Sequence, residues 1–199
     1  MVDDNSTIVL RQKPFPVHAF WRRYCHEEQD YNGALERIGR LGLQPLIDEL
    51  RQLLTGFVLL VREAVDANGG AAVRRLIDEE FRRVGGWRGT RSGGIDWRKC
   101  LVINGVRVCV GVEVQFSARS DVLVVDIIHL RQAITAGEID VGILVVPDDR
   151  LSRFLTDRGP SMSDAKRHVT AARAEDLPLL LIALEHDGAG AALAKQRKR

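Results

Sequence analysis

The chain has 199 residues, of which 45% are hydrophobic and 28% are charged, and its formal net charge is only +2. These values are typical of one globular domain and exclude a strongly basic protein, although a local basic cleft for nucleic acid is compatible with them. Charges interrupt every apolar run well before the ~20 residues that a membrane helix needs, and the N-terminus is acidic, so we expect no membrane span, no secretion signal and a cytoplasmic location.

A single domain is predicted over residues 1–199, with a core at 44–185 and a basic tail at 186–199. Residues 1–43 are predicted to form an N-terminal arm and a helix packed on that core. His18, Cys25 and His26 could suggest a metal cluster in this arm, but their spacing matches no metal motif, so packing is the favoured interpretation.

Two helices are predicted next, over Gln44–Ala67 and Ala71–Val84, from apolar residues at helical spacing and from the glycine pairs that follow each of them. Glu80 falls at the centre of the apolar face of the second helix, unlike its neighbour Glu79. A carboxylate there is costly unless it is paired, protonated or bound to a metal. Exposure at the edge of the helix is the alternative.

The glycine-rich segment Gly85–Gly94 holds Arg88 and Arg91. Open backbone amides and flexible guanidinium groups suit contact with phosphate. The segment lacks the pattern of a nucleotide-binding P-loop. A plain flexible loop would have the same composition.

A β-hairpin is predicted over Ile95–Phe116, because two alternating apolar runs meet at Asn104-Gly105, the preferred pair for a two-residue type I′ turn. Placing Ile103 opposite Val106 makes one face almost wholly apolar, with Lys99 as the exception. The same register sets Asp96 opposite Glu113.

Asp96 and Glu113 are then a non-hydrogen-bonded pair, whose Cα atoms approach to ~4.5 Å, and Gln115 lies on the same face of the strand. Two carboxylates so close repel each other unless a positive charge lies between them. Mg²⁺ prefers oxygen ligands of this kind, so the pair indicates a magnesium site. Simple exposure of this face to solvent is the alternative.

After the hairpin, a helix over Asp121–Ala136 and a strand over Ile139–Val146 predict a right-handed parallel crossover. A short helix at Asp148–Asp157 follows. The segment Arg158–Asp176 is predicted as a long polar connection that could reach into a groove, and Leu177–Glu185 as another buried strand. The connection carries Lys166 and Arg167.

Cys100 and Cys109 are opposed in the hairpin register and could be bridged. In a cytosolic chain, however, we expect two reduced thiols.

This order of elements resembles the PD-(D/E)XK nuclease superfamily, and most closely the BglII-type restriction endonucleases, in which Gln replaces the usual last Lys. The motifs that carry the resemblance are ID at 95–96, GVEVQF at 111–116, GEIDVGILVVP at 137–147 and LPLLLIALE at 177–185. Ile95 stands in place of the Pro in the superfamily's name. The implied fold is α/β, a mixed sheet with a β-hairpin and a parallel crossover flanked by helices.

The resemblance implies Mg²⁺-dependent hydrolysis of phosphodiester bonds at a specific site in double-stranded DNA. Asp96, Glu113 and the backbone carbonyl of Val114 would hold Mg²⁺, Gln115 would orient the attacking water, and Glu80 could add an acidic contact. Enzymes of this type generally act as homodimers on palindromic sites, beside a DNA methyltransferase that is not part of the complex.

Two alternatives stay open at this point. One is a repair or defence nuclease of the same fold without site specificity. The other is a non-catalytic DNA-binding module. Arg88, Arg91, Lys166 and Arg167 are candidate DNA contacts from their charge and loop position alone.

Overall fold

The computed structural model describes residues 7–8, 25–89, 94–117, 120–156 and 159–195. The strands in this part of the chain are β1 (Thr7–Ile8), β2 (Cys25–Tyr31), β3 (Leu60–Val61), β4 (Arg88–Gly89), β5 (Trp97–Ile103), β6 (Val106–Val114), β7 (Val141–Pro147), β8 (Leu179–Leu184) and β9 (Gly188–Ala189). The helices are α1 (Ala34–Arg40), α2 (Gln44–Thr55), α3 (Gly70–Val84), α4 (Leu123–Thr135), α5 (Asp149–Phe154) and α6 (Met162–Ala171). None of these helices is long and apolar enough to cross a membrane.

The main sheet has seven strands in the order β1-β2-β8-β7-β6-β5-β4. Strands β6, β7 and β8 run parallel, and the pairs toward both edges are antiparallel. Strand β7 is buried along its whole length, as its continuous apolar sequence predicts. The predicted α/β fold with a mixed sheet, a hairpin and a parallel crossover is therefore confirmed.

The β5–β6 hairpin has the predicted register, with Ile103 opposite Val106 and Trp97 opposite Val112. Asn104 and Gly105 have φ angles of 51° and 80°, the positive values that a type I′ turn requires. This turn determines which residues share a face of the sheet up to the end of β6.

Helices cover both faces of the hairpin strand β6. Val110, Val112 and Val114 pack with residues of α1, α2 and α3 in one core, which includes most of the predicted apolar face but not Val106, which is 61% exposed. Lys99 reaches Glu49 of α2 from this face, with its Nζ atom 2.6 Å from Oε1. The opposite face packs against α4 and α6 in a second core, so it is not simply exposed to solvent.

Helix α3 is placed by a close contact with the end of β6. A Cβ atom on Gly70 would lie 1.8 Å from the carbonyl oxygen of Phe116, so only glycine fits at the first residue of the helix. Arg74 follows Gly70 by one turn and is thereby brought beside the end of β6.

The helix predicted over Gln44–Ala67 is too long, because α2 ends at Thr55. Beyond it, buried polar side chains hold the chain in an extended form. The Oδ2 atom of Asp187 accepts from the amide of Leu59 at 2.6 Å, and the Oδ1 atom of Asn68 accepts from the amide of Arg62 at 3.0 Å. Asp187 is distant from Leu59 in the sequence, and Asn68 folds back on Arg62 from six positions further along the chain. The spacing of apolar residues does not reveal either contact.

The prediction of a polar connection over Arg158–Asp176 is wrong, since α6 occupies its middle. Ser161 caps this helix, accepting from the amide of Asp164 at 3.1 Å. Only three of its ten residues are buried, Met162, Ala165 and Val169, so the helical periodicity of apolar residues is weak in this segment.

The prediction of reduced thiols at Cys100 and Cys109 is also corrected. The two residues are opposed in β5 and β6 with Cα atoms 4.0 Å apart, and their sulfur atoms form a disulfide. Short Cα separation is typical of a non-hydrogen-bonded antiparallel pair.

Candidate active site

The candidate site lies where β5 begins and β6 ends. Asp96 directly precedes β5, and its backbone amide donates to the Oε2 atom of Glu113 at 3.3 Å. In return, the amide of Val114 donates to the Oδ2 atom of Asp96 at 2.9 Å. The hairpin thus brings together the two carboxylates that its register pairs.

Glu113 and Gln115 face the second core and are almost completely buried, with 3% and 8% of their surface exposed. The side-chain amide of Gln115 donates to the carbonyl of Ser117, and its backbone amide donates to the carbonyl of Val145 at 2.9 Å. Such burial is not what a merely solvated strand face would give.

Helix α3 supplies a positive charge to the site. One terminal nitrogen of Arg74 lies 2.9 Å from the Oδ1 atom of Asp96, and the other donates to the carbonyl of Val114. The Nε atom of Arg74 donates to Asp78 at 2.9 Å, and Asp78 also accepts from the indole of Trp97 at 3.2 Å. Arg74 was not singled out from the sequence, because it is one of several arginines on the same helix.

Helix α4 adds two further polar residues. The Nδ1 atom of His129 lies 3.2 Å from the Oε1 atom of Glu113. Asp126 is only 8% exposed. Glu113, Asp126 and His129 each offer one ligand atom, and these three atoms lie within 4.8 Å of one another. The sequence does carry a signal for Asp126, an acidic residue inside the apolar run LVVDIIHL.

Burial and crowding of negative charge change the acidity of these groups. The pKa of Glu113 is raised from 4.5 to about 10 by burial first, and then by the hydrogen bond and charge of Asp96. Burial and the charge of Asp96 raise the pKa of Asp126 from 3.8 to about 7. Without a bound cation, the site therefore retains protons at neutral pH.

The sequence model of the family described as Restriction endonuclease BglII/BglIII matches residues 26–184, which is more than half of the chain. The chain belongs to this family. It is therefore a restriction endonuclease, with DNA as its substrate, and the BglII-type resemblance seen in the sequence is confirmed. A comparison with curated proteins finds no match.

Glu80 of this BglII/BglIII family member is not brought to the site. Its Oε2 atom pairs with Arg83 at 2.6 Å, and the same atom lies 3.5 Å from where a Cβ of Gly56 would be. Arg74 and Asp78, one turn apart on α3, contact the hairpin at Asp96 and Trp97. Glu80 lies two positions after Asp78, about 200° around the helix.

The predicted DNA contacts are dispersed. Arg88 is exposed on β4, the edge strand beside β5, whereas Arg91 lies outside the described residues. Lys166 and Arg167 lie on α6, where Lys166 pairs with Glu27 and Arg167 lies 2.5 Å from Asp164. The latter two therefore stand on a helix and in ion pairs rather than on a free loop.

Proposed function

We propose that this chain is a type II restriction endonuclease, a single nuclease domain that hydrolyses phosphodiester bonds at a specific site in duplex DNA with Mg²⁺. The observation that carries the proposal is the contact between Asp96 and Glu113 at the end of the hairpin, inside the region matched by the restriction endonuclease family. Paired carboxylates next to a DNA phosphate serve to bind a hard divalent cation.

Asp96, Glu113 and the carbonyl of Val114 would hold the metal ion. The contacts of Arg74 support this fit, because its cationic guanidinium binds Asp96 and the carbonyl of Val114, two of these three ligand groups. Burial first, and then the hydrogen bond and charge of Asp96, raise the pKa of Glu113, so a cation beside this carboxyl group would favour its charged form. When bound, Mg²⁺ polarises the scissile phosphate and makes a nearby water more acidic.

The remaining residues would position the reactants. The nitrogen of the Gln115 side chain is held by the carbonyl of Ser117, and we assign its amide oxygen the role of accepting a hydrogen bond from the attacking water. Arg74 has the planar fork of donors that suits a phosphate group, so we propose that it contacts the scissile phosphate once DNA is bound.

Phosphate contacts outside the cleavage site are assigned from charge and from position in the chain. We propose that Arg88 and Arg91 contact the DNA backbone, since both belong to the glycine-rich segment that leads into β5. Arg167 has a side chain that is 66% exposed on α6, and with Lys166 it forms a second candidate contact surface. Backbone contacts of this kind fix the register of the protein on the duplex without reading its sequence.

A homodimer would cut both strands of a palindromic site, one strand per protomer. Helix α4 supports this assembly, because Val125 and Ile128 are 45% and 41% exposed on neighbouring positions of the helix. Apolar residues three positions apart form a stripe suited to packing against a second copy. We also propose a cytoplasmic location and a cognate methyltransferase in the same system, since the enzyme would otherwise cut its host's DNA.

Incubation of plasmid and phage DNA with the purified protein and Mg²⁺ tests the proposal. Discrete fragments are expected, and sequencing of their ends gives the recognition site and the cut position. Asp96→Asn and Glu113→Gln should cut at least ~10³-fold more slowly, because a positioned metal contributes several kcal/mol to catalysis. Glu138→Gln, which alters an exposed carboxylate paired with Arg98, is the control.

A smear of fragments would instead identify a nuclease without site specificity. Binding of DNA with no cleavage at any Mg²⁺ concentration would contradict the catalytic proposal and favour a binding module.

A further inference from the structure

Asp126 on α4 is a buried carboxylate with one oxygen atom that lacks a hydrogen-bond partner in the described part of the chain. It is 8% exposed, and its Oδ2 atom has no hydrogen-bond partner among the described residues. A buried, unpartnered carboxylate oxygen is costly, and its usual remedies are a proton, a cation or an ordered water.

The groups around Asp126 favour a cation. Glu113 and His129 place one ligand atom each within 4.8 Å of Asp126 and of each other, which is close enough for all three atoms to contact one ion. His129 lies one turn after Asp126 on α4, so both side chains point to the same side of the helix. The site therefore has three ligands from two rigid elements, β6 and α4.

Glu113 presents its two oxygen atoms in different directions. Its Oε2 atom accepts from the amide of Asp96 at 3.3 Å, whereas its Oε1 atom lies 3.2 Å from His129. One carboxylate can bridge two ions in this way, with one ion on each oxygen. The α4 side of Glu113 is thus a different position from the proposed magnesium site next to Asp96.

We propose that Glu113, Asp126 and His129 form a second cation site, which takes a divalent transition-metal ion. An imidazole nitrogen is a ligand for first-row transition metals and not for Mg²⁺ or Ca²⁺, which require oxygen. The two sites share Glu113, so an ion bound to Asp126 and His129 would fix that carboxylate beside Asp96. This inference deepens the proposed function but is measured without DNA.

Mn²⁺ is a suitable probe, because it binds at oxygen sites and at mixed oxygen–nitrogen sites and is detected by electron paramagnetic resonance. Titration of the tag-free protein should give two equivalents of bound Mn²⁺ in the wild type, and one in Asp126→Asn and in His129→Ala. The remaining equivalent shows that these variants are folded and keep the site at Asp96. Asp96→Asn should keep the equivalent at α4.

Pulsed resonance adds a spectroscopic signature. Nitrogen-14 coupling to bound Mn²⁺ is expected in the wild type and should disappear in His129→Ala but persist in His168→Ala, which removes a histidine of α6. Equal Mn²⁺ binding in the wild type, Asp126→Asn and His129→Ala, or nitrogen coupling that survives in His129→Ala, overturns the proposal. These measurements use no DNA, so they test the second cation site independently of the proposed nuclease activity. A protein that does not cleave DNA can still bind the ion, and a protein that cleaves DNA can lack it.

Discussion

A terminal guanidinium nitrogen of Arg74 lies 2.9 Å from the Oδ1 atom of Asp96, and the other donates to the carbonyl of Val114. One side chain of α3 thus binds two groups that we assign to the magnesium ion. A guanidinium group and a divalent cation that bind the same oxygen atoms repel each other, so each weakens the binding of the other. Arg74 and Mg²⁺ are therefore expected to compete in the absence of DNA.

Arg74→Ala tests this competition. We expect the variant to bind Mg²⁺ more tightly than the wild type without DNA, by about threefold to tenfold, because no positive charge has to leave Asp96. Cleavage should nevertheless fall by about 10²-fold or more, since the phosphate loses a charged donor. Isothermal titration gives the affinity, and a single-turnover assay gives the cleavage rate.

Arg74→Lys and Arg167→Ala are the matched variants. Lysine restores the charge but not the fork of donors, so it should recover only part of the rate. Arg167 pairs with Asp164 on α6, and its removal should leave Mg²⁺ affinity unchanged. Weaker Mg²⁺ binding in Arg74→Ala would contradict the competition.

The stability of the metal-free protein should decrease as the pH rises. Glu113 has a pKa of about 10 in the folded protein against an ordinary value of 4.5, so unfolding releases its proton across this range. Because the folded state binds protons more tightly, the free energy of unfolding is highest below about pH 4.5 for this group and falls as the pH rises toward 10. Asp126 acts in the same direction up to about pH 7.

Urea unfolding at several pH values measures this effect. Glu113→Gln should show a smaller decrease in the free energy of unfolding with pH than the wild type, because it carries no titrating proton at that position. Glu36→Gln, an exposed change on α1, should follow the wild type. If the free energy of unfolding rises between pH 6 and pH 9 in the wild type but not in Glu113→Gln, the pKa of Glu113 is not raised in the folded protein.

Cation binding should release protons. At neutral pH the raised pKa keeps Glu113 protonated, and a metal ligand must be a carboxylate, so about one proton should leave this residue when Mg²⁺ binds. Mg²⁺ affinity should therefore rise with pH above 7, by up to tenfold per pH unit. Titration in two buffers that differ in ionisation enthalpy counts the protons. An affinity that is constant from pH 7 to pH 9 would exclude a protonated Glu113.

The local sequence determines the hairpin and its consequences. Asn104-Gly105 allows one turn type, and that turn alone sets Trp97 opposite Val112 and Asp96 beside Glu113. The buried strand β7 follows in the same way from its apolar residues. These features depend on residues that are close together in the sequence, so they can be predicted from the amino-acid sequence alone.

The other residues of the site depend on packing between distant elements. Arg74 reaches Val114, 40 positions away, only because Gly70 allows α3 to touch the end of β6. Glu80 looked suitable from the apolar face of α3 alone, but the hairpin packs beside Arg74 and Asp78. Asp126 and His129 meet Glu113 only after α4 has crossed back over the sheet. No periodicity within one element contains this information.

The exposed stripe on α4 is expected to hold two protomers together. Val125→Asp with Ile128→Asp should convert a dimer to a monomer, because a charge buried in an interface costs several kcal/mol. Light scattering after gel filtration measures the mass. Val102→Asp, which alters an exposed valine near the hairpin turn, is the control and should leave the mass unchanged. A wild type that is monomeric both with and without DNA would refute the dimer.

The contact between Gly70 and the end of β6 should be required for both stability and activity. In Gly70→Ala the new Cβ atom would lie 1.8 Å from the carbonyl oxygen of Phe116, so α3 must shift and carry Arg74 away from Asp96. We expect a loss of about 1–3 kcal/mol in the free energy of unfolding, as for overpacked cores. The cleavage rate should fall by more than the unfolded fraction of the protein accounts for.

Gly39→Ala is the matched control for this substitution. No described atom lies within 4 Å of a Cβ at Gly39 in α1, so alanine should raise stability there by up to about 1 kcal/mol through its helix propensity. Thermal unfolding and cleavage are measured on both variants at a temperature where both are folded. If Gly70→Ala cleaves DNA at the wild-type rate, the contact between Gly70 and Phe116 does not govern the position of Arg74.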